Sequence, residues 1–119
     1  MDVVMNDVRL LVKKELAAAN KKFPMFASAH EGWAVIREEL QEVKDDHYML
    51  EQYLENRLWN EVRYNNEIPK EDLKEAQHWA VHMAVEAIQT AAMICKLERS
   101  QRRQFCFAVT AKYPNNMMR

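Results

Sequence analysis

The chain has 119 residues, a formal net charge of −1 and 49% hydrophobic residues, which suffices for one modest core but not for two independent ones. One glycine and three prolines exclude a sheet-rich fold, because sheets need many turns and turns use these residues. A nearly neutral chain has no overall attraction for nucleic acid or an anionic membrane, so neither partner is expected. The composition predicts a single all-α domain over residues 1–119, a bundle of about four helices.

The N-terminal sequence and the cysteines indicate a cytoplasmic protein. The segment MDVVMNDVRLLVKKELAAAN lacks a basic region followed by an uninterrupted apolar core, so we expect no signal peptide. No apolar run is expected to reach the length of a membrane span. Cys95 and Cys106 lack CxxC spacing, and we expect reduced core thiols rather than a disulfide or a zinc site.

Two helices are predicted in the first part of the chain. The first covers residues 3–22 and ends at KFPMFAS, because Pro24 cannot continue a helix interior. Its apolar residues recur at helical spacing: Val4, Val8, Leu11, Val12 and Leu16. Ser28 and Glu31 in SAHE have the spacing of a capping box, which predicts the start of the second helix. The apolar stripe of that helix contains Trp33, Ile36, Leu40 and Val43.

The remaining chain is predicted to be helical around one loop. Residues 44–66 are helix-like, and the sequence leaves open whether VKDDHY bends them into two helices. YNNEIP is the predicted loop, and Pro69 suits the first turn of a last helix over residues 70–99. From Trp79 to Leu97 that helix is apolar around most of its circumference, as in a central helix. Beyond it, QFCFAV is apolar enough to pack, whereas YPNNMMR is expected to fray.

The segment REELQE contains three glutamates that are either a solvated face or metal ligands. At about 100° per residue, Glu39 and Glu42 lie one turn apart on one face, beside the apolar stripe, and Asp46 continues this acidic row. Glu38 lies further round the helix. Carboxylates at this spacing can share a cation, but exposed acidic faces are common, so this helix alone favours the solvated interpretation.

Glu86 changes that balance, because it is the only carboxylate between Trp79 and Leu97. Burying a carboxylate is costly unless it has a cation, a salt bridge or an acid partner that shares a proton. Together with Glu39 and Glu42 on another helix, it makes a metal site the better interpretation. Oxygen ligands of this kind predict Mg²⁺, with Mn²⁺ as the alternative.

These residues also resemble a known family. HEGWAVIREELQEV, followed later by EAIQTAAMICK, is similar to the MazG-like all-α nucleoside triphosphate pyrophosphohydrolases, of the small type found in bacteria and their phages. The family signature is EExxE on one helix and ExxD on a later one. Here EELQE fills the first part, and Glu86-Ala87-Ile88-Gln89 fills the second with glutamine in place of aspartate. The likeness covers residues 5–97 and includes the upstream KKFPMFAS.

The resemblance implies a helical protein that assembles as a homodimer or homotetramer, with sites at helix interfaces. It implies Mg²⁺ ligation by Glu39, Glu42 and Glu86, with Gln89 in the place of the aspartate. Glu38 would orient or deprotonate the attacking water. Such enzymes cleave between the α- and β-phosphates of a nucleoside triphosphate, with the metal neutralising phosphate charge and lowering the pKa of water.

Four further residues are candidates for contacts with the nucleotide. His30 and Trp33 precede the carboxylate motif, and Trp33 could stack on a base, with core packing as an equal alternative. Lys70 and Lys74 could contact phosphates, although a solvated basic surface is the more usual reason for such residues.

Gln89 leaves a second function open. An amide oxygen can ligate Mg²⁺, but one negative charge is lost, so weaker binding is expected unless Asp46 compensates. The alternative is a catalytically degenerate helical oligomer that binds nucleotide or a protein partner. Zinc at His78 and His82 is not expected, because no third His or Cys has a suitable spacing.

Overall fold

The computed structural model describes residues 2–22 and 25–109, and these two ranges contain helices and loops but no strand. The all-α prediction is therefore confirmed for this part of the chain. In chain order the elements are α1 (Asp2–Lys22), α2 (Ala29–Gln52), a π-helical segment (Tyr53–Leu58), α3 (Trp59–Arg63) and α4 (Lys70–Val109).

The predicted helix boundaries agree with the structure except at the end of the last helix. The sequence left open whether VKDDHY bends the chain; it lies inside α2 without a break, and the chain then stays helical through the π-helical segment and α3. The last helix ends at Val109 rather than near Arg99, because no glycine or proline follows Lys70 within it to end it earlier. Pro24, the side chain of Cys106 and the segment YPNNMMR lie outside the described residues.

The start of α2 confirms one half of the predicted capping box. The backbone N–H of Glu31 donates to Ser28 Oγ at 3.1 Å, which satisfies one of the free donors of the first turn. The carboxylate of Glu31 does not return to Ser28. It accepts a long hydrogen bond from the backbone N–H of Ala27 instead, at 3.5 Å.

The predicted loop YNNEIP begins with a Schellman motif that ends α3. Asn65 has φ 55°, and its N–H donates to the carbonyl of Val62 at 3.0 Å. The next N–H, of Asn66, donates to the carbonyl of Glu61 at 2.9 Å. Asparagine tolerates this left-handed backbone better than most residues other than glycine, which explains how a chain with a single glycine ends a helix here.

The chain divides into two compact units. The first is built from the described parts of Met1–Arg37 and Ile88–Arg119, and the second is Glu38–Ala87. The sequence prediction of one domain over residues 1–119 stays a prediction.

Among the residues of the first unit whose side chains the structure describes, Leu16, Phe26 and Ala92 are the buried apolar ones. A Cβ placed on Gly32 would lie 2.6 Å from Leu97 Cδ1 and 3.0 Å from Phe26 Cδ2. The single glycine of the chain therefore stands where α2 contacts these two side chains, and a larger residue would require them to shift.

Ser100 ties the segment before α2 to α4 in the same unit. Its side chain is 1% exposed, and its Oγ accepts the backbone N–H of Phe26 at 3.0 Å while donating to the carbonyl of Lys96 at 2.8 Å. The Lys96 ammonium lies 4.8 Å from the centre of the Phe26 ring. Burial lowers the pKa of Lys96, and the charge of Glu31 opposes this.

Replacing Ser100 with alanine should lower the free energy of unfolding by about 1–3 kcal/mol, because the buried N–H of Phe26 loses this acceptor. Urea denaturation followed by circular dichroism measures the change. Gln101→Ala, at an exposed neighbouring position, is the control and should leave the midpoint unchanged. Equal midpoints for the two variants would show that this hydrogen bond does not stabilise the unit.

The predicted apolar stripes are only partly covered within one chain. In α1 Leu16 is buried, but Val4 is 62% exposed. Trp33 is 56% exposed, so core packing does not explain it. The prediction of a central helix is also wrong for the single chain, because Val81 and Ile94 of α4 are 58% and 51% exposed. A helix that is apolar around most of its circumference is buried only when other helices pack on most of its sides. Within one chain, Val81 and Ile94 of α4 are not covered in this way.

Part of α4 meets the length and composition criteria for a membrane span. Within Lys70–Arg102, the best 18-residue window has a mean hydropathy of 1.2. The expectation that no apolar run approaches this length is therefore wrong by this measure. Core helices of soluble proteins meet the same criteria, so this single helix does not place the protein in a membrane.

Candidate metal centre

Three glutamates of the second unit converge on one point. Glu39 and Glu42 lie one turn apart on α2, and Glu86 reaches them from α4. One carboxylate oxygen of each lies within 4.8 Å of the other two. Glu39 and Glu86 are half-buried, whereas Glu42 is exposed. The structure therefore brings together the three residues that the sequence singled out.

The electrostatics of this cluster are those of carboxylates held close together. The pKa of Glu86 rises to about 7, first through a hydrogen bond with Glu42, then through burial and the negative charges of Glu42 and Glu39. The neighbouring His82 opposes the rise. Below about pH 7, Glu86 therefore holds a proton beside the carboxylate of Glu42, because the negative charges close to it oppose its ionisation.

The raised pKa of Glu86 predicts the pH dependence of stability in a metal-chelating buffer. The folded protein binds this proton more tightly than the unfolded chain, whose glutamate has its ordinary pKa of 4.5. This stabilising contribution is complete at low pH and is lost as the pH rises from about 4.5 through about 7. The melting temperature should therefore fall more steeply between pH 5 and pH 8 in the wild type than in Glu86→Gln.

Thermal unfolding with a chelator, followed by circular dichroism, makes that comparison. Glu51→Gln, at an exposed position of α2 outside the cluster, should keep the pH dependence of the wild type. Identical slopes for Glu86→Gln and the wild type would show that Glu86 does not titrate as described. Adding Mg²⁺ should restore stability above pH 7, where Glu86 is ionised.

A second group of donors lies beside the first. Asp46 is 5% exposed, and Nδ1 of His82 donates a hydrogen bond to its Oδ2 at 2.6 Å. This hydrogen bond is the main cause of the raised pKa of His82, which burial opposes. One donor atom each from Asp46, His82 and Glu86 lie within 4.8 Å of one another. Glu86 therefore belongs to both groups.

Asp46 was predicted as a possible extra ligand, but His82 was not. A zinc site at His82 was not expected because no third His or Cys has a suitable spacing. A signal for His82 was present in the spacing. His82 precedes Glu86 by one turn, and Asp46 follows Glu42 by one turn. Each residue therefore lies on the same face of its helix as the neighbouring glutamate.

The other predicted site residues are not part of these groups. Glu38 is exposed, and Gln89 lies half-buried one turn after Glu86 on α4, in the first compact unit. Lys70 and Lys74 are exposed at the start of α4, in the second unit. The roles of these four residues stay predictions.

His30 and Trp33 are exposed and belong to the first unit. Their ring centroids lie 6.4 Å apart, and the guanidinium carbon of Arg37 lies 5.5 Å from the centre of the Trp33 ring. An exposed indole can stack on another ring, so base stacking by Trp33 stays a prediction.

The donors of the three-glutamate cluster fit Mg²⁺ or Mn²⁺. Both ions prefer carboxylate oxygens and retain water or phosphate oxygens at their other positions. Glu42 and Glu39 raise the pKa of Glu86 because their negative charges lie close to it. A divalent cation bound between the three carboxylates would relieve this repulsion.

Compared with models of protein families, with curated proteins and with solved structures, the chain has no match in any of the three.

Proposed function

We propose that this protein is a metal-dependent nucleotide pyrophosphohydrolase of the MazG-like class. It would cleave a nucleoside triphosphate between the α- and β-phosphates into the monophosphate and pyrophosphate. The observation that supports this most is the convergence of Glu39, Glu42 and Glu86, because the two helix motifs of the resemblance supply these three residues. Three carboxylates on two helices suit a divalent cation that also binds phosphate oxygens.

Each residue has a role in this proposal. Glu39, Glu42 and Glu86 would hold Mg²⁺, and the resemblance assigns Gln89 to the place of the family's aspartate. Glu38, exposed one residue before Glu39, orients the attacking water or accepts its proton. When bound, the ion would neutralise phosphate charge and lower the pKa of water. The carboxylates fix the position of the phosphates relative to Glu38.

The proposal includes assembly of a MazG-like helical bundle from two or four copies of the chain. Exposed apolar side chains support this assembly. Val81 and Val85 lie one turn apart on α4 and are 58% and 43% exposed. Exposed apolar patches of this kind mark interaction surfaces. Cytoplasmic localisation is part of the same proposal.

A second candidate function is a non-catalytic helical oligomer that binds nucleotide or a protein partner. The glutamine at position 89 favours it, because the site has one negative charge fewer than the family pattern. The same apolar surface would then serve the partner.

Release of pyrophosphate from a panel of ribo- and deoxyribonucleoside triphosphates, with Mg²⁺ or Mn²⁺, separates the two functions. The enzyme proposal predicts equal amounts of monophosphate and pyrophosphate from at least one nucleotide, and no product with a chelator. If no nucleotide is cleaved but one binds, the non-catalytic function is correct. Products cut between the β- and γ-phosphates would contradict the proposed reaction.

A further inference from the structure

We propose that Asp46, His82 and Glu86 form a second metal site, which takes a transition-metal ion such as Mn²⁺, Co²⁺ or Zn²⁺ rather than Mg²⁺. The three side chains offer one donor atom each within 4.8 Å of one another. This inference rests on the proposed function only through Glu86, which the two sites share.

The donor types set the metal preference. An imidazole nitrogen is a poor ligand for Mg²⁺ but a good one for first-row transition ions. The cluster of Glu39, Glu42 and Glu86 contains only oxygens, whereas the second site contains one nitrogen and two carboxylates. The two sites therefore differ in the ions that they select.

The second site is partly preorganised. Asp46 is buried and already lies 2.6 Å from Nδ1 of His82, and an ion here would take the place of that hydrogen bond. The ring of Trp79 lies edgewise to the imidazole of His82, with centroids 6.1 Å apart. The imidazole is also half-exposed, so an ion can reach it from solvent.

Charge favours two ions rather than one. Glu39, Glu42, Asp46 and Glu86 carry four negative charges when ionised, which two divalent cations balance. A single divalent ion leaves two negative charges in a partly buried cluster, and His82 offsets only that of Asp46. Glu86 has two carboxylate oxygens and can serve one ion with each.

The test is a titration of the whole chain with Co²⁺. Visible absorption counts the bound ions, and a hyperfine-shifted imidazole N–H signal in proton NMR shows that a histidine nitrogen is a ligand. Two Co²⁺ ions per chain are expected in the wild type. His82→Ala should bind one ion and lose the shifted imidazole signal, with the second affinity lowered by more than about 100-fold, since even outer-shell partners cost about 10–100-fold. His47→Ala, at an exposed residue beside Asp46, is the matched control and should bind two.

Glu39→Gln separates this inference from the proposed function. It removes a ligand of the three-glutamate cluster only, so it should bind one Co²⁺ and retain the shifted imidazole signal. Millimolar Mg²⁺ should displace one Co²⁺ from the wild type and leave the nitrogen-ligated one in place. If nucleotides are not cleaved but His82→Ala still loses one ion, the second site stands and the enzyme proposal falls.

Two outcomes would overturn the second site. One is a wild type that binds a single Co²⁺ without a shifted imidazole signal, which would make Asp46 and His82 a structural ion pair. The other is a His82→Ala variant that still binds two ions. Asp46→Asn is measured beside it, and circular dichroism of both variants shows that a lost ion does not reflect a lost fold.

Discussion

Glu42→Gln should lower kcat/KM for the preferred nucleotide by about 100-fold or more, as the loss of one electrostatic contact to the reacting group does in other enzymes. The substitution keeps the size and a ligating oxygen but removes a charge at the point where Glu39, Glu42 and Glu86 converge. It also removes the partner that raises the pKa of Glu86. Metal affinity and rate should therefore fall together.

Steady-state kinetics at several Mg²⁺ concentrations measure this effect. The loss should be partly recovered at high Mg²⁺, because weaker metal binding is one of its causes. Glu51→Gln removes a charge from the same helix outside the cluster and should keep the activity of the wild type. Equal rates for Glu42→Gln and Glu51→Gln would mean that the carboxylate cluster is not the catalytic metal site.

Val81→Glu combined with Val85→Glu should dissociate the oligomer into single chains. Both valines are exposed and lie one turn apart on α4, so the double change places two charges on one apolar face. Losing the burial of two valines costs about 3 kcal/mol or more, and burying the charges costs further. The dissociation constant should rise by more than about 100-fold.

Light scattering coupled to size-exclusion chromatography measures the mass of each variant. Asn60→Glu combined with Asn66→Glu adds the same charge at exposed polar positions and should leave the mass unchanged. A wild type that runs as a single chain at micromolar concentration would contradict the assembly. An oligomer that both double variants leave intact would place the interface on another surface.

Helix positions could be predicted well from local sequence signals, because those signals act within a few residues. Ser28 and Glu31 marked the start of α2, and the asparagines of YNNEIP marked the end of α3. The extent of α4 was underestimated, since no glycine or proline stands between Arg99 and Val109 to end the helix.

Burial could not be predicted in the same way. A stripe of apolar residues indicates a helix face that packs against another surface. It does not indicate whether that surface belongs to the same chain or to a partner. Trp33 belongs to such a stripe and Val81 to the apolar part of α4, and both are more than half exposed. Leu16 belongs to one as well and is 3% exposed.

The site shows the same division between local and long-range information. The i,i+3 spacing of Glu39 and Glu42 was readable from one helix, and the apolar surroundings of Glu86 showed that it needs a partner. That Glu86 meets this pair depends on how α2 and α4 pack, which spacing does not encode. His82 was missed for a different reason: it was judged only as a zinc ligand that needs a third His or Cys, although it precedes Glu86 by one turn.

Anomalous diffraction from crystals grown with Mn²⁺ tests the central claim most directly. The account predicts a manganese peak about 2 Å from carboxylate oxygens of Glu39, Glu42 and Glu86. It also predicts that this peak is absent from crystals of Glu42→Gln grown at the same Mn²⁺ concentration. Three glutamates that point apart into solvent, with no manganese between them, would contradict it.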